Sequence, residues 1–191
     1  MSSVVISGDT SGAITLSAPA IAGTNTLTLP ANTGTVITTA SSGGVSQAML
    51  ATGVAGTGPA FSAYLADNQS ISANTFTKVL FDTEEFDTNN NFASSRFTPT
   101  VAGYYQVNLM LYISAAGSGQ GNGAIYKNGV VTKAQFLQVS VNQILSVPAL
   151  VYLNGSSDYI EAYAYSVTAG VVAGGGNSNY CYFQAYLARA A

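Results

Sequence analysis

Tyr104-Tyr105-Gln106-Val107-Asn108-Leu109-Met110-Leu111-Tyr112-Ile113 is the stretch that decides the fold. Tyr105, Val107, Leu109, Leu111 and Ile113 fall on one side of an extended chain, and all are apolar. Tyr104, Gln106, Asn108, Met110 and Tyr112 fall on the other, and that side is mixed. A period of two with one apolar side is the signature of a strand buried on one face. The pattern returns in Ile160, Ala162 and Ala164 against Tyr159, Glu161, Tyr163 and Tyr165. It returns again in Cys181, Phe183, Ala185 and Leu187 against Tyr180, Tyr182, Gln184 and Tyr186. Gly and Asn clusters separate these runs. Asn128-Gly129, set between Tyr126-Lys127 and Val130-Val131, predicts a two-residue hairpin, because a type I′ turn needs positive φ at both positions. Many short strands with such turns make an all-β sandwich or barrel, and no long helix-period segment competes with it.

Charge is sparse in the 191 residues. Five Lys and Arg stand against eight Asp and Glu, a net charge of −3, and Ser, Thr, Asn and Gly supply the polarity instead. A hydrophobic content of 48% is enough for a core, and the chain lacks the high charge of disordered sequences. So little charge suits a protein that hides surface in an oligomer. Without a basic run there is no nucleic-acid footprint. Without an apolar run of about 18 residues there is no spanning helix and no membrane insertion. The start, Met1-Ser2-Ser3-Val4-Val5-Ile6, has neither a basic segment nor a signal-length apolar run, so the expectation is assembly in the cytoplasm. Cys181 is the single cysteine and reads as a buried strand residue.

The chain divides in three. Residues 1–40 are low in complexity, with Thr-rich alternations broken by Gly and Pro, and read as short strands and turns. They have too few large side chains for a core of their own and predict an attachment segment. Residues 41–60 read as a flexible linker, with one or two marginal helical turns at 45–51. Residues 61–191 are the globular head.

Little catalytic chemistry is available. The chain has no His, which removes imidazole acid–base catalysis, the Ser-His-Asp triad and His metal sites. The Gly-rich run 117–123 precedes no helix and reads as a strand-to-strand loop, not a phosphate cradle. Asp82, Glu84, Glu85 and Asp87 form the one carboxylate cluster. It reads as a solvated strand end and turn, with calcium as the second reading and glycosidase chemistry third. No catalytic or metal-ligating residue is assigned, and no cofactor is expected.

In chain order, Phe61-Ser62-Ala63-Tyr64, the stretch Phe97-Thr98-Pro99-Thr100-Val101-Ala102-Gly103-Tyr104-Tyr105, Tyr126-Lys127-Asn128-Gly129, Leu153 to Ile160 and Phe183-Gln184-Ala185-Tyr186-Leu187 resemble one family. It is the globular head of the complement q subcomponent, among the tumour-necrosis-factor-like jelly rolls. Departures are one extra residue before Gly103, two serines between Gly155 and Asp158, and Ala185 in place of the family's Gly. The resemblance spans residues 61–189. It implies a ten-stranded jelly-roll sandwich that works as a homotrimer and binds instead of catalysing. In that family the aromatic outer face of one sheet packs around the threefold axis, which makes Tyr159, Tyr163, Tyr165, Tyr182 and Tyr186 the trimer-interface candidates. Some members bind calcium near the trimer apex, but this points to no residue here. Ligand contact is expected in the Gly- and Asn-rich loops 117–123 and 169–179, with Asn122, Asn177, Ser178 and Asn179 as receptor-contact candidates.

No collagen-like repeat precedes the head. Residues 1–40 resemble instead the attachment parts of bacteriophage fibre proteins. The expectation is a virion protein exposed on the particle, docked on another virion protein through residues 1–40. Its head would meet a host cell-surface glycan or protein, three weak sites adding avidity. The alternative is a capsid cement or decoration protein that stabilises the shell.

Overall fold

The computed structural model describes residues 3–7, 9–17, 21, 24, 31, 58–115, 117–139, 142–172, 174 and 179–191. The chain forms two compact units, Met1–Ser42 and Gly43–Ala191. In the first, β1 (Ser3–Ser7) and β2 (Ala13–Ser17) make an antiparallel hairpin with Ser3 opposite Ser17 and Ser7 opposite Ala13. Val4, Val5 and Ile6 are each more than half exposed on it.

The described part of the second unit is all β. Its strands are β3 (Ala60–Tyr64), β4 (Gln69–Ile71), β5 (Thr77–Lys78), β6 (Thr83–Asp87), β7 (Phe92–Ala93), β8 (Arg96–Phe97) and β9 (Ala102–Ala115). There follow β10 (Gly119–Lys127), β11 (Val130–Val139), β12 (Asn142–Asn154), β13 (Ile160–Ser166), β14 (Gly170–Val172) and β15 (Tyr182–Ala190). They form two antiparallel sheets. One runs β11-β10-β13-β8-β7, with β5 also on β13, and the other β4-β14-β9-β15-β3-β6, with β12 on β9. Thirteen strands stand where ten were expected, because short pieces such as β5, β7, β8 and β14 count separately.

The alternation read from the sequence holds residue by residue. Tyr105, Val107, Leu109, Leu111 and Ile113 are 0–1% exposed, and Ile160, Ala162, Ala164, Cys181 and Phe183 are at 0%. The two inner faces meet in one core. At one end Phe61 stacks on Phe92 and Phe97, with centroids 4.6 and 4.5 Å apart, and meets the edge of Phe183 at 5.1 Å. Asn128 and Gly129 have φ of 52° and 78°, the two left-handed positions that a type I′ hairpin requires.

The loop expected at 117–123 is corrected: from Gly119 the chain is β10, paired with β11 and β13. The glycines there serve packing. A Cβ on Gly123 would lie 3.1 Å from Val147 Cγ2 and 3.4 Å from Leu111 Cδ1, so its absence lets the sheets approach. Part of the loop expected at 169–179 is also strand, since β14 pairs with β9 and β4. The linker helix expected at 45–51 lies outside the described residues.

Two outcomes follow. Phe61→Ala empties a site in contact with three rings and should cost about 3–5 kcal/mol, read from denaturant unfolding. Burial pushes the Cys181 thiol up to about 12, against the lowering effect of a backbone hydrogen bond at Tyr112. The native protein at pH 8 should therefore resist a disulfide-exchange reagent that labels the unfolded chain at once.

Candidate functional site

The outward residues of the two sheets make two different surfaces. Across β3, β15, β9 and β12 the register sets them in rows. The first is Ala60, Tyr186, Gln106 and Leu150, the second Ser62, Gln184, Asn108 and Pro148, and the third Tyr64, Tyr182, Met110 and Ser146. None of these residues is charged. In the row beside the first, Tyr104 and Tyr152 face each other at 5.5 Å, and Arg189, the register partner of Tyr104 on β15, puts a charge at that margin of the face. Leu150 is 56% exposed and Tyr186 51%. Phe86, Asn108, Gln184 and Tyr186 line a shallow cavity of about 140 Å³ on the same face. Exposed Leu150, Tyr186, Tyr104 and Tyr152 gathered on a face whose central rows are uncharged mark a candidate interaction site.

The outer face of the other sheet is built around Glu161. Its place opposite the buried Ile160, Ala162 and Ala164 turns it away from the core, yet it is only 3% exposed. A carboxylate out of water needs charged partners. Lys78 Nζ and Arg96 Nε each donate to its Oε1 at 2.8 Å, and Tyr163 Oη donates to Oε2 at 3.3 Å. Lys78 also donates to the Ser94 carbonyl at 2.9 Å. Arg96 lies over the Tyr159 ring, 3.9 Å from its centroid. One carboxylate thus ties β5, β8 and β13 together.

Aromatic rings continue this surface. Tyr126 and Tyr163 stack at 3.9 Å, and Phe76 meets Tyr165 at 5.0 Å and Tyr126 at 6.0 Å. All four are partly exposed. Burial, then the Glu161 charge, holds the Tyr163 phenol above its ordinary pKa, so it stays a donor. Next to the ion cluster a cleft of about 430 Å³ is lined by Lys78, Asn90, Asn91, Ser94, Arg96 and Thr98, with Ala93.

The five tyrosines expected at one interface divide between these surfaces. Tyr182 and Tyr186 lie on the uncharged face, Tyr163 and Tyr165 on the opposite sheet, and Tyr159 under Arg96. Alternation placed each on an outward side but did not say of which sheet. Asn122, expected at a loop surface, is corrected: it is 2% exposed within β10, in register with Phe136 and Tyr165, and its Oδ1 has no hydrogen-bond partner. Asn179 is exposed in the turn before β15. Asn177 and Ser178 lie outside the described residues. In the carboxylate cluster, Asp82 accepts from the Ala66 amide at 2.9 Å, Asp87 from the Phe92 amide at 2.7 Å and Glu85 from Ser62 Oγ at 2.6 Å. Among the described residues no group of three or more His, Cys, Asp or Glu could hold a metal.

The sequence reading missed Lys78, Arg96, Phe76 and Tyr126 on one surface and Tyr104, Leu150 and Tyr152 on the other. A signal was present for the first. Glu161 interrupts a tyrosine stripe in a chain with only five basic residues, and a glutamate there needs a cation.

No known family's sequence profile matches the chain, and no curated protein matches it. Solved structures do. Murine APRIL at pH 5.0 superposes with a TM-score of 0.53 at 7% identity, over 66% of this chain and 96% of that one. The head is an all-β sandwich of two antiparallel sheets that resembles a C1q/TNF jelly roll in fold. Murine APRIL at pH 8.5 gives 0.49 at 9% identity, over 66% of this chain and 96% of that one. The globular domain of zebrafish complement 1qA gives 0.46 at 20% identity, over 70% and 99%.

In this jelly roll Glu161 sets a pH dependence. Burial raises its pKa, but the hydrogen bonds and charges of Lys78 and Arg96 outweigh that and leave it below the ordinary 4.5. The folded-state pKa is depressed, so the stabilisation is full above pH 4.5 and is lost as pH falls through the folded value. Glu161→Gln should cost about 1–3 kcal/mol at pH 7, and progressively less as the pH falls below 4.5, read by thermal unfolding as a function of pH.

Proposed function

We propose that this chain is a non-enzymatic virion protein, a phage fibre or tip whose jelly-roll head forms a homotrimer and recognises the host surface. The uncharged outer face of β3, β15, β9 and β12 carries the trimer. An exposed sheet face in a monomer usually holds Lys, Glu or Arg, and here three rows hold none. The occupant that fits such a face is a second copy of the chain, repeated around a threefold axis, and the jelly-roll fold is one whose members usually trimerise. Such an interface should bury more than ~2,000 Å² in total.

Recognition then falls to surfaces away from the trimer contact. Residues 1–40 anchor the protein to the particle; their likeness to fibre attachment segments and the apolar hairpin β1–β2 support that role. The virion assignment rests on this segment, and the position of the protein on intact particles, at the tail or over the shell, separates fibre from shell decoration.

The trimer has a direct test. Light scattering at micromolar concentration should give three copies. Leu150→Asp puts a charge on the exposed face without touching the core, and should give a folded monomer with an unchanged β spectrum. A wild-type monomer, or a mutant trimer as stable as wild type, would overturn the assignment.

A further inference from the structure

We propose that the cleft beside Glu161, together with the aromatic strip on β10 and β13, is a binding subsite for a carboxylated pyranose, a sugar of the uronic or sialic class. The inference rests on the recognition reading above and names the ligand for it.

Four observations converge. The cleft, at about 430 Å³, is within the range of small-ligand sites, and its walls are polar apart from Ala93. Such walls suit a hydroxyl-rich ligand and do not suit an apolar one. The charge balance is the second. Lys78 and Arg96 are two of the five basic residues of the whole chain, and one carboxylate, Glu161, faces both. Among these three groups the excess is one positive charge, while Asp87 behind the 89–92 turn is held by the Asn89 and Phe92 amides and does not line the cleft. That single excess charge matches a monoanion. A phosphate dianion would overshoot it and be repelled by Glu161.

The third observation concerns which atoms are available. Glu161 takes the Nε edge of Arg96, while the side chain stays 44% exposed. A guanidinium has five N–H donors, so an outer edge remains to meet a carboxylate. Its stacking on Tyr159 and its bond to Glu161 fix that edge before any ligand arrives, which lowers the entropic cost of binding. Lys78 spends two of its three donors on Glu161 and Ser94. The fourth observation is the aromatic strip. Tyr163 is the register partner of Lys78, on the adjacent strand. The stacked Tyr163 and Tyr126 rings, with Phe76 beyond, therefore begin where the cleft ends. Half-exposed aromatic rings beside polar donors suit the two sides of a pyranose, C–H faces on the rings and hydroxyls on the donors.

The test uses the full-length protein. It is titrated with the methyl glycosides of D-glucuronate, D-galacturonate and N-acetylneuraminate, with neutral methyl glucoside and methyl galactoside, and with inorganic phosphate, and binding is read by NMR. At least one acidic sugar should bind, about tenfold or more tighter than its neutral counterpart. Asn90 is exposed on the cleft wall with φ of 53°, a conformation aspartate also tolerates. Asn90→Asp adds a repelling charge without disturbing the ion cluster, and should weaken the acidic sugar about tenfold with an unchanged melting temperature. Arg96→Gln should abolish binding, and Arg96→Lys should restore part of it. Equal binding of acid and neutral sugars overturns the proposal. So does binding of phosphate in preference to the sugars, binding of none of the acids, or an Asn90→Asp protein that binds as well as wild type. Adsorption of the labelled trimer to a panel of bacterial cells separates this from the broader reading. If only the subsite is wrong, wild type and Asn90→Asp adsorb alike; if recognition itself is wrong, wild type does not adsorb.

Discussion

Strand β9 is the constraint on which the head depends. Its 14 residues are hydrogen-bonded along one edge to β12, from Ala102 to Ser114, and along the other to β15 and then β14. Both edges are therefore committed, and a slip of one residue would exchange its two sides. Tyr105, Val107, Leu109, Leu111 and Ile113 would go to solvent, and Gln106 and Asn108 would enter the core. Burying those amides without partners costs several times what a misplaced methyl costs. The register of β9 is thus held by its own alternation, and β12 and β15 take theirs from it. That is also why the outward surface is so ordered: rows of four residues line up across β3, β15, β9 and β12 because each strand reads its register from the next.

The same reasoning explains what could be read from the sequence alone. Alternation is local, so the inward sides of β9, β13 and β15 were legible to the residue. The Asn128-Gly129 hairpin was legible because the positive φ it needs is a property of those two residues. Which sheet a strand joins is not local. Tyr163 and Tyr182 look alike in the sequence, both aromatic and both opposite small or buried residues, yet pairing sends one to β10 and the other to β9 and β3. Asn122 failed for a related reason. Its glycine neighbours signal a loop by composition, but Gly123 is there to let the sheets close on Val147 and Leu111. A glycine needed for packing and a glycine needed for a turn are the same letter.

With few charges to distribute, the head places them unevenly. In the seven-stranded sheet the three central rows across β3, β15, β9 and β12 hold none, and charge lies at their margins, Arg189 beside Tyr104 and Glu85 beside Ser62. The opposite sheet gathers Lys78 and Arg96 around Glu161, each within hydrogen-bond distance of its carboxylate. The cluster has a structural role, since β5 and β8 are each only two residues long and pair only briefly with β13. Backbone bonds alone hold such pieces weakly. A buried carboxylate with a cation from each of them supplies what the ladder lacks. The same arrangement leaves two cations fixed at the rim of a polar cleft, so holding the strands in place and preparing an anion site are one act of geometry.

The first unit raises the opposite problem. A two-stranded hairpin is marginal in water, because neither face has a layer to pack on. On β1 the residues Val4, Val5 and Ile6 are adjacent in sequence, so they point to both faces, and all are exposed. About 1–2 kcal/mol of backbone entropy per residue opposes ordering such a hairpin. A partner that covers both faces would restore the balance, and no second strand of the hairpin can do that. In the proposed trimer, three heads would raise the local concentration of such segments above what a monomer reaches. Assembly of the head and ordering of the hairpin would then be linked equilibria.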